Sequence, residues 1–590
     1  MKSTEQKRWR RTNYCGELRE EHVGHEVVLL GWVNRQRDIG NLVFIDLRDR
    51  EGIVQIVISS ETKNLLEEAK KVRMEDVVGI RGIVRERAEK MKNPQLPTGE
   101  IEIEAKEFEV LRPSEVPPFV VADPPQAQEE LRFKYRYIDL RRPSMQRNFK
   151  LRHQAALTTR NYMNDEGFYE IETPFLTKST PEGARDYLVP SRIYKGRFFA
   201  LPQSPQIFKQ LLMIAGFDRY FQIVRCFRDE DLRADRQPEF TQIDVEMSFV
   251  GSEEVFHVIE GLMASVFGLI GVDVKHPFPH LTYEESMNKY GTDKPDLRMD
   301  LEIVDLTDVG SHIDSEIIKG ALSAGGELRA LVLGKRGDLS RNQLDKLNEK
   351  ARDLGAKGII WIKKLDEFKS SLKISAGELE KIWERCGADN EDLVLLVADA
   401  KDMALRVLGA IRQEFVAQQV LGTEAYKFAW VTDFPLFEWS EEEGRLVSMH
   451  HPFTSPVEED IALLEKEPQR VRAKAYDLVL NGVEIGGGSV RINDLDLQKV
   501  IFKTLGLGTE EAEEKFGFFL EALRYGAPPH GGIALGFDRI VMLLAGEDTI
   551  RDVIPFPKTT SSLCLLTNSP SEVDDKQLEN LGIKKTKAGS

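Results

Sequence analysis

The sequence predicts an α+β multidomain protein: a small β-barrel first, then a larger mixed region carrying an inserted domain. Three observations predict it. The 590 residues exceed what one hydrophobic core usually supports. Residues 26–111 hold short, turn-separated strand patterns. Residues 291–425 differ in character from their flanks, and strand-rich, Gly-rich sequence returns at 426–560.

The barrel comes first. Strands are expected at 26–33, 42–47, 53–58, 77–84 and 101–111, with turns at Asp38-Ile39-Gly40-Asn41 and Asp49-Arg50-Glu51-Gly52. Short strands at this density suggest an OB-fold, the commonest small barrel that reads single strands, or a purely structural barrel. Residues 112–147 open Pro-rich and unperiodic, as a hinge would. A helix over 151–166, stopped by Gly167, starts the first part of a larger domain, 148–290. The insertion, 291–425, carries helical patterns at 341–354 and 376–386 and strand patterns at 358–362 and 393–397. The larger domain resumes over 426–560, and the polar residues 561–590 form a loosely ordered extension.

Composition excludes several classes. With 41% hydrophobic and 30% charged residues the chain reads as an ordinary soluble protein. No run of 18 apolar residues occurs, and the basic start lacks the apolar core of a secretory signal, so the cytoplasm is the expected compartment. Cys15, Cys226, Cys386 and Cys564 form no CxxC pair, which argues against a disulfide framework or structural zinc. The net charge of −17 decides little about nucleic acid, because a basic surface can sit within an acidic total.

Three segments carry chemistry. In 220–249, Gln222, Val224, Cys226, Arg228 and Glu230 alternate onto one strand face. After a polar loop, Phe240, Gln242, Asp244 and Glu246 take one face of the returning strand. Such a hairpin presents its polar face either to water or to a polar substrate. In 476–491, Asn481-Gly482 marks a tight hairpin that makes Asp477 and Glu484 diagonal neighbours, suited to Mg²⁺. Gly486, Gly487 and Gly488 leave room for close approach of a ligand, and Arg491 offers a fork for a carboxylate. In 531–544 a strand and glycine turn lead into an apolar helix with Arg539 in its first turn, where an anion would bind or a surface ion pair would form. His450 and His451 sit in a loop without the third ligand that zinc needs.

Together these segments resemble the signature motifs of the class II aminoacyl-tRNA synthetases. Residues 167–176 are similar to motif 1, 227–230 with 238–244 to motif 2, and 536–539 to motif 3. Residues 180–190 and 203–210 resemble the aspartyl-specific loop and pocket of bacterial members, and the likeness spans nearly the whole chain. The resemblance implies an antiparallel-sheet catalytic domain, an OB-fold anticodon-binding domain and an α+β insertion. It implies ATP-dependent attachment of L-aspartate to tRNA(Asp) through an aspartyl-adenylate, with Mg²⁺ accompanying ATP.

The same resemblance implies roles. Arg228 binds the α-phosphate and Arg539 the γ-phosphate, and both are catalytic. Phe240 stacks on adenine, Glu230 accepts from its amino group, and Asp229, Gln237, Gly536, Phe537 and Asp538 complete the ATP site. Asp477 and Glu484 hold Mg²⁺. Glu182 and Gln206 receive the amino acid's ammonium, while Lys209 and Arg491 face its side-chain carboxylate, oriented by Asp244, with His450 closing the pocket. An asparagine side chain would leave those two cations uncompensated. Arg37, Phe44 and Gln55 read the anticodon, although Val43 and Ile45 also allow Phe44 a core position. Pro174 marks a homodimer interface. No membrane or DNA partner is implied. Some members that charge both tRNA(Asp) and tRNA(Asn) carry His and Gly where this chain has Ile39 and Lys90, which points to tRNA(Asp) alone. The alternatives are a non-discriminating enzyme, an asparaginyl enzyme, and a catalytically silent RNA-binding relative. The last would have lost a motif residue, and none is missing.

Overall fold

A computed structural model describes residues 9–180, 184–233, 235–420 and 426–585. The chain divides into two compact units. The first comprises Met1–His153, Leu232–Gln237 and Ala545–Val573, and the second Gln154–Asp231, Pro238–Leu544 and Asp574–Ser590.

The first unit contains the barrel. Strands β1 (Glu26–Asp38), β2 (Leu42–Asp49), β3 (Gly52–Ser59), β4 (Val77–Glu86) and β5 (Ile101–Arg112) close in the order β1-β2-β3-β5-β4. Each expected strand is present, and β1 runs five residues further than its pattern. Alternation sets the two surfaces: Val43, Ile45 and Leu47 of β2 face the core with Val54, Ile56 and Ile58 of β3.

Residues 112–147 are more than a hinge. They include helices Glu129–Lys134 and Arg136–Asp139, and the helix expected from 151 begins at Pro143 and runs to Asp165. The boundary expected at 147/148 therefore falls inside a helix. Arg136, almost fully buried, pairs with Asp139 at 2.5 Å and donates to the backbone carbonyls of Arg551, Ile554 and Pro555. Those acceptors are about four hundred residues away in sequence, so composition near 112 could not announce them. Residues 545–560, expected with the larger domain, belong to this unit for the same reason.

The second unit is built on an eight-stranded sheet. In spatial order its strands are His280–Thr282, Phe428–Thr432, Ala475–Leu480, Val483–Val490, His530–Gly536, Glu239–Ser248, Arg219–Phe227 and Tyr169–Glu170. The pairings are antiparallel except at the two edges. The insertion adds a separate five-stranded antiparallel sheet. Its central strand, Leu393–Asp399, is apolar and buried up to its last residue because both faces are covered. Leu393, Leu395 and Val397 enter one core, Val394, Leu396 and Ala398 the other. Helices Arg341–Asp353 and Ala376–Arg385 start at Ser340 and Ser375, which accept from the backbone amides of Gln343 and Glu378. The tail contains a helix, Asp575–Leu581, capped by Asp574. All four cysteines are free thiols. Among the described residues no helix is long and apolar enough to cross a membrane.

Candidate active site and nucleic-acid interface

The polar face of the Glu239–Ser248 strand is not turned to water. Asp244 and Glu246 are fully buried, as are Lys209 and Arg491 to within two percent. Lys209, from helix Gln206–Ile214, bonds Asp244 at 2.5 Å and reaches Glu246 at 3.3 Å. The Arg491 fork grips both oxygens of Glu246, at 2.9 and 3.0 Å, and its Nη1 donates to Ser489 and to His451 Nε2. Burial opposes ionisation of Glu246, but Arg491 and Lys209 outweigh it and hold its pKa below the ordinary value. For Asp244 burial wins and the pKa is raised. Burial, then Arg491, drives His451 well below 6.5, so it serves as a neutral acceptor.

Asp244, expected to orient the two cations, bonds Lys209, while Arg491 has a different resident carboxylate, Glu246. Glu246, which the alternation placed on this face without a role, is the partner that mattered most. The strand that carries it depends on Gly532 opposite, where a Cβ would lie 2.1 Å from both Glu246 Oε2 and the Val245 carbonyl.

A second cluster forms at the Asn481-Gly482 hairpin. Both turn residues have positive φ, 52° and 83°, as a tight type I′ turn requires. Leu480 pairs with Val483 and Val479 with Glu484, as the sequence implied. A bulge then shifts the ladder, so that Asp477 lies opposite Gly487. The carboxylates still converge: a Cβ on Gly487 would lie 2.7 Å from Asp477 Oδ1 and 3.9 Å from Glu484 Oε1. Burial, then Glu484, raises the Asp477 pKa. Burial opposes ionisation of Glu484 too, but Lys294 at 2.8 Å prevails and lowers it. His450 bonds Asp477 at 3.2 Å and packs edge-on against Phe434. Two of the three glycines make room for neighbouring protein. At Gly486 a Cβ would strike Leu535, and at Gly488 the Gly532 carbonyl.

The motif arginines flank these clusters. The Arg219–Phe227 strand ends before Arg228, although the Arg228 amide still donates to the Pro238 carbonyl at 2.9 Å, and Glu230 is half-buried. Arg228 lies over the Phe240 ring, 5.1 Å from its centroid. Asp229 pairs through its backbone with Arg185. Arg539 lies in the first turn of helix Phe537–Ala545 and bonds the Glu484 carbonyl. Asp538 accepts the Thr241 amide at 2.7 Å, and Phe537 is buried in the core, so both fasten this helix to the strand bearing Phe240. Among the described residues, three polar atoms of the site are buried without a hydrogen-bond partner: Arg228 Nε, Asp244 Oδ2 and His450 Nδ1. Orphans of this kind ask for an explanation, and a polar ligand supplies one.

On the barrel, Phe44 faces outward. Its neighbours Val43 and Ile45 fill the core, which settles the alternative that Phe44 is itself core. Arg37 pairs with Phe44 across β1 and β2, its guanidinium 5.7 Å from the ring centroid. Arg37 bonds Asp46 and Gln55, each at 3.0 Å, and Gln55 donates to Glu102. An aromatic ring beside such donors and acceptors suits an unstacked base.

Comparisons with known proteins show the family of the chain. Residues 128–560 match the family model of tRNA synthetases class II (D, K and N), and 27–111 match the OB-fold nucleic acid binding domain. The chain belongs to the class II aminoacyl-tRNA synthetases. Among relatives of this synthetase, an aspartate–tRNA(Asp/Asn) ligase of Caldanaerobacter subterraneus subsp. tengcongensis is 56% identical over 98% of each chain. An aspartate–tRNA ligase of Macrococcus caseolyticus is 50% identical over 97% of this chain and 98% of its own. The fold is shared with the asparaginyl-tRNA synthetase of Pyrococcus horikoshii, solved with asparaginyl-adenylate. That likeness has a TM-score of 0.61 and 20% identity, covering 94% of this chain and 99% of that one.

The remaining expected residues of the synthetase are placed as follows. Gln206 donates to Gln210, which contacts His530, so a buried polar chain runs behind Lys209. Gln237 belongs to the first unit, where its side chain exchanges bonds with the Lys558 backbone. Gly536 pairs with Gln242 at the end of its strand. Pro174 is exposed, beside exposed Phe175 and Leu176. Ile39 is exposed in the β1–β2 turn, and Lys90 lies in a short 3-10 helix, Glu89–Met91. Glu182 lies outside the described residues. Among described residues, no group of three or more His, Cys, Asp or Glu forms a metal cage. Lys294, Gln210 and His530 went unassigned because their contacts are long-range. For His530 only its place beside the glycine pair of the strand was a hint.

Proposed function

We propose that the chain attaches L-aspartate to tRNA at the expense of ATP. An oxygen of aspartate's α-carboxylate attacks the α-phosphorus, pyrophosphate leaves, and a ribose hydroxyl at the tRNA 3′ end then displaces AMP from the acyl carbon. No general base is required for the first step, since the attacking carboxylate is already ionised, so positioning and charge neutralisation suffice.

The buried quartet beside the three orphaned atoms carries this reading. Lys209 and Arg491 bind the side-chain carboxylate, Asp244 and Glu246 keep those cations rigid, and Gln206 with Glu182 receives the ammonium. His450 closes the pocket, and His451 steadies Arg491. Arg228 and Arg539 neutralise the phosphates while Phe240 stacks on adenine and Glu230 reads its amino group. Asp477 and Glu484 suit Mg²⁺, which needs only one or two carboxylates alongside substrate phosphates and would offset their charge. Arg37, Phe44 and Gln55 read the anticodon. The exposed Pro174, Phe175 and Leu176 favour a homodimer, which light scattering would test.

For the tRNA range, the names of full-length relatives at 52–56% identity favour charging of both tRNA(Asp) and tRNA(Asn). A second reading, tRNA(Asp) alone, rests on Ile39 and Lys90. Charging of both purified transcripts with labelled aspartate decides it. Product on both supports the wider range, product on tRNA(Asp) alone the narrower, and product on neither would remove the ligase function.

A further inference from the structure

Lys294 is a cation that no motif assigned and that the structure brings to the hairpin carboxylates. It lies just past helix Tyr283–Tyr290, whose end is set by Gly291 at φ +67°. Its backbone is fastened on several sides. The Lys294 amide donates to Thr292 Oγ1 at 3.1 Å, Gln413 donates to the Lys294 carbonyl at 3.3 Å, and Ser286 holds the Thr292 carbonyl at 2.7 Å. Asp296, two residues on, lies against Gly482, 3.3 Å from where a Cβ would be. The segment is thus anchored beside the Asn481-Gly482 turn, and the lysine stem carries its ammonium to Glu484 Oε2 at 2.8 Å.

This ion pair differs from the pairs beneath it. The side chains of Lys294 and Glu484 are 38% and 32% exposed, whereas those of Lys209 and Asp244 are sealed. An ammonium on a flexible stem at a partly wetted carboxylate can leave without breaking the fold. Asp477 and Glu484 would repel one another if no cation lay nearby. An ammonium and a divalent ion cannot share the same carboxylate oxygen, because like charges a few ångströms apart repel strongly.

We propose that Lys294 is the exchangeable counter-cation of the Asp477–Glu484 pair, neutralising it in the nucleotide-free enzyme and yielding its place on Glu484 to the divalent ion. The ammonium therefore weakens metal binding before ATP arrives, and the metal enters with its nucleotide. The proposal rests on the assignment of Asp477 and Glu484 to the metal.

The test is titration of the nucleotide-free enzyme with Mn²⁺, a paramagnetic stand-in for Mg²⁺, followed by electron paramagnetic resonance. Lys294→Met should bind Mn²⁺ about tenfold tighter than wild type, because a competing like charge a few ångströms away is removed. Lys294→Arg should stay as weak as wild type. A lysine that only braced the fold would give unchanged or weaker Mn²⁺ binding in Lys294→Met, and either result overturns the proposal. Wild-type protein offers a second readout that does not depend on a variant folding: acetylation of Lys294, followed by mass spectrometry, should rise when Mg²⁺ and ATP are added together, and unchanged labelling overturns it. Parallel titrations with ATP separate the two ideas. If Asp477→Asn and Glu484→Gln keep normal ATP-dependent Mn²⁺ binding, the carboxylate assignment falls and this proposal with it. If those variants lose it while Lys294→Met leaves nucleotide-free binding unchanged, only the role of Lys294 falls.

Discussion

The outer face of the barrel and the floor of the catalytic sheet use the same ingredients in opposite surroundings. On the barrel, Arg37, with a side chain 41% exposed, bonds Asp46 beside Phe44. On the floor, Arg491 grips Glu246 with both partners sealed from water. A pair in water contributes little and can be released to a base or a phosphate. A sealed pair contributes little net over an apolar replacement, yet breaking it strands a charge. The barrel face is therefore adaptable, and the floor is rigid and intolerant of loss.

The sharpest way to break this contrast is Arg491→Ala. It leaves buried Glu246 with Lys209 alone and should cost about 3–5 kcal/mol of stability. Aspartate-dependent pyrophosphate exchange should vanish while ATP binding persists. Thermal unfolding with exchange assays checks both, and retained exchange would deny Arg491 its carboxylate role. Next is Phe44→Ala, which should weaken tRNA binding by about 1–3 kcal/mol and leave amino acid activation unchanged. Filter binding beside exchange kinetics would show whether the loss is confined to tRNA.

A smaller effect concerns acid. Burial holds His530 below its ordinary 6.5, matching a neutral ring whose Nδ1 donates to the Pro528 carbonyl and whose Nε2 accepts from Gln210. The unfolded chain therefore takes up this proton at higher pH than the folded one. Its contribution to stability is full above about pH 6.5 and falls as pH drops toward the folded pKa, at up to about 1.4 kcal/mol per pH unit. His530→Gln should flatten denaturant-derived stability over that window relative to wild type, and parallel curves would refute it. The smallest effect is expected for Asp46→Asn, under about 1 kcal/mol in stability, readable as a near-unchanged urea midpoint.

Much of the fold was legible in the residues themselves. Alternation located all five barrel strands and the Glu239–Ser248 strand, and Asn481-Gly482 announced its hairpin together with the pairing of Val479 and Glu484. These are local signals, set by side-chain period and turn stereochemistry. The bulge that puts Asp477 opposite Gly487 was not legible, because the Gly486–Gly488 run packs tightly against Leu535 and Gly532 of another strand.

The sequence by itself determined the family, the element types and which charged side chains share a strand. Only the tertiary structure decided who pairs with whom. Glu246 takes Arg491 across 245 residues, His451 rather than His450 meets that arginine, and Lys294 reaches Glu484. The reason is physical: a strand's period says that a carboxylate lies on a face, but whether that face is sealed, and by which cation, depends on strands and loops that converge only when the chain folds.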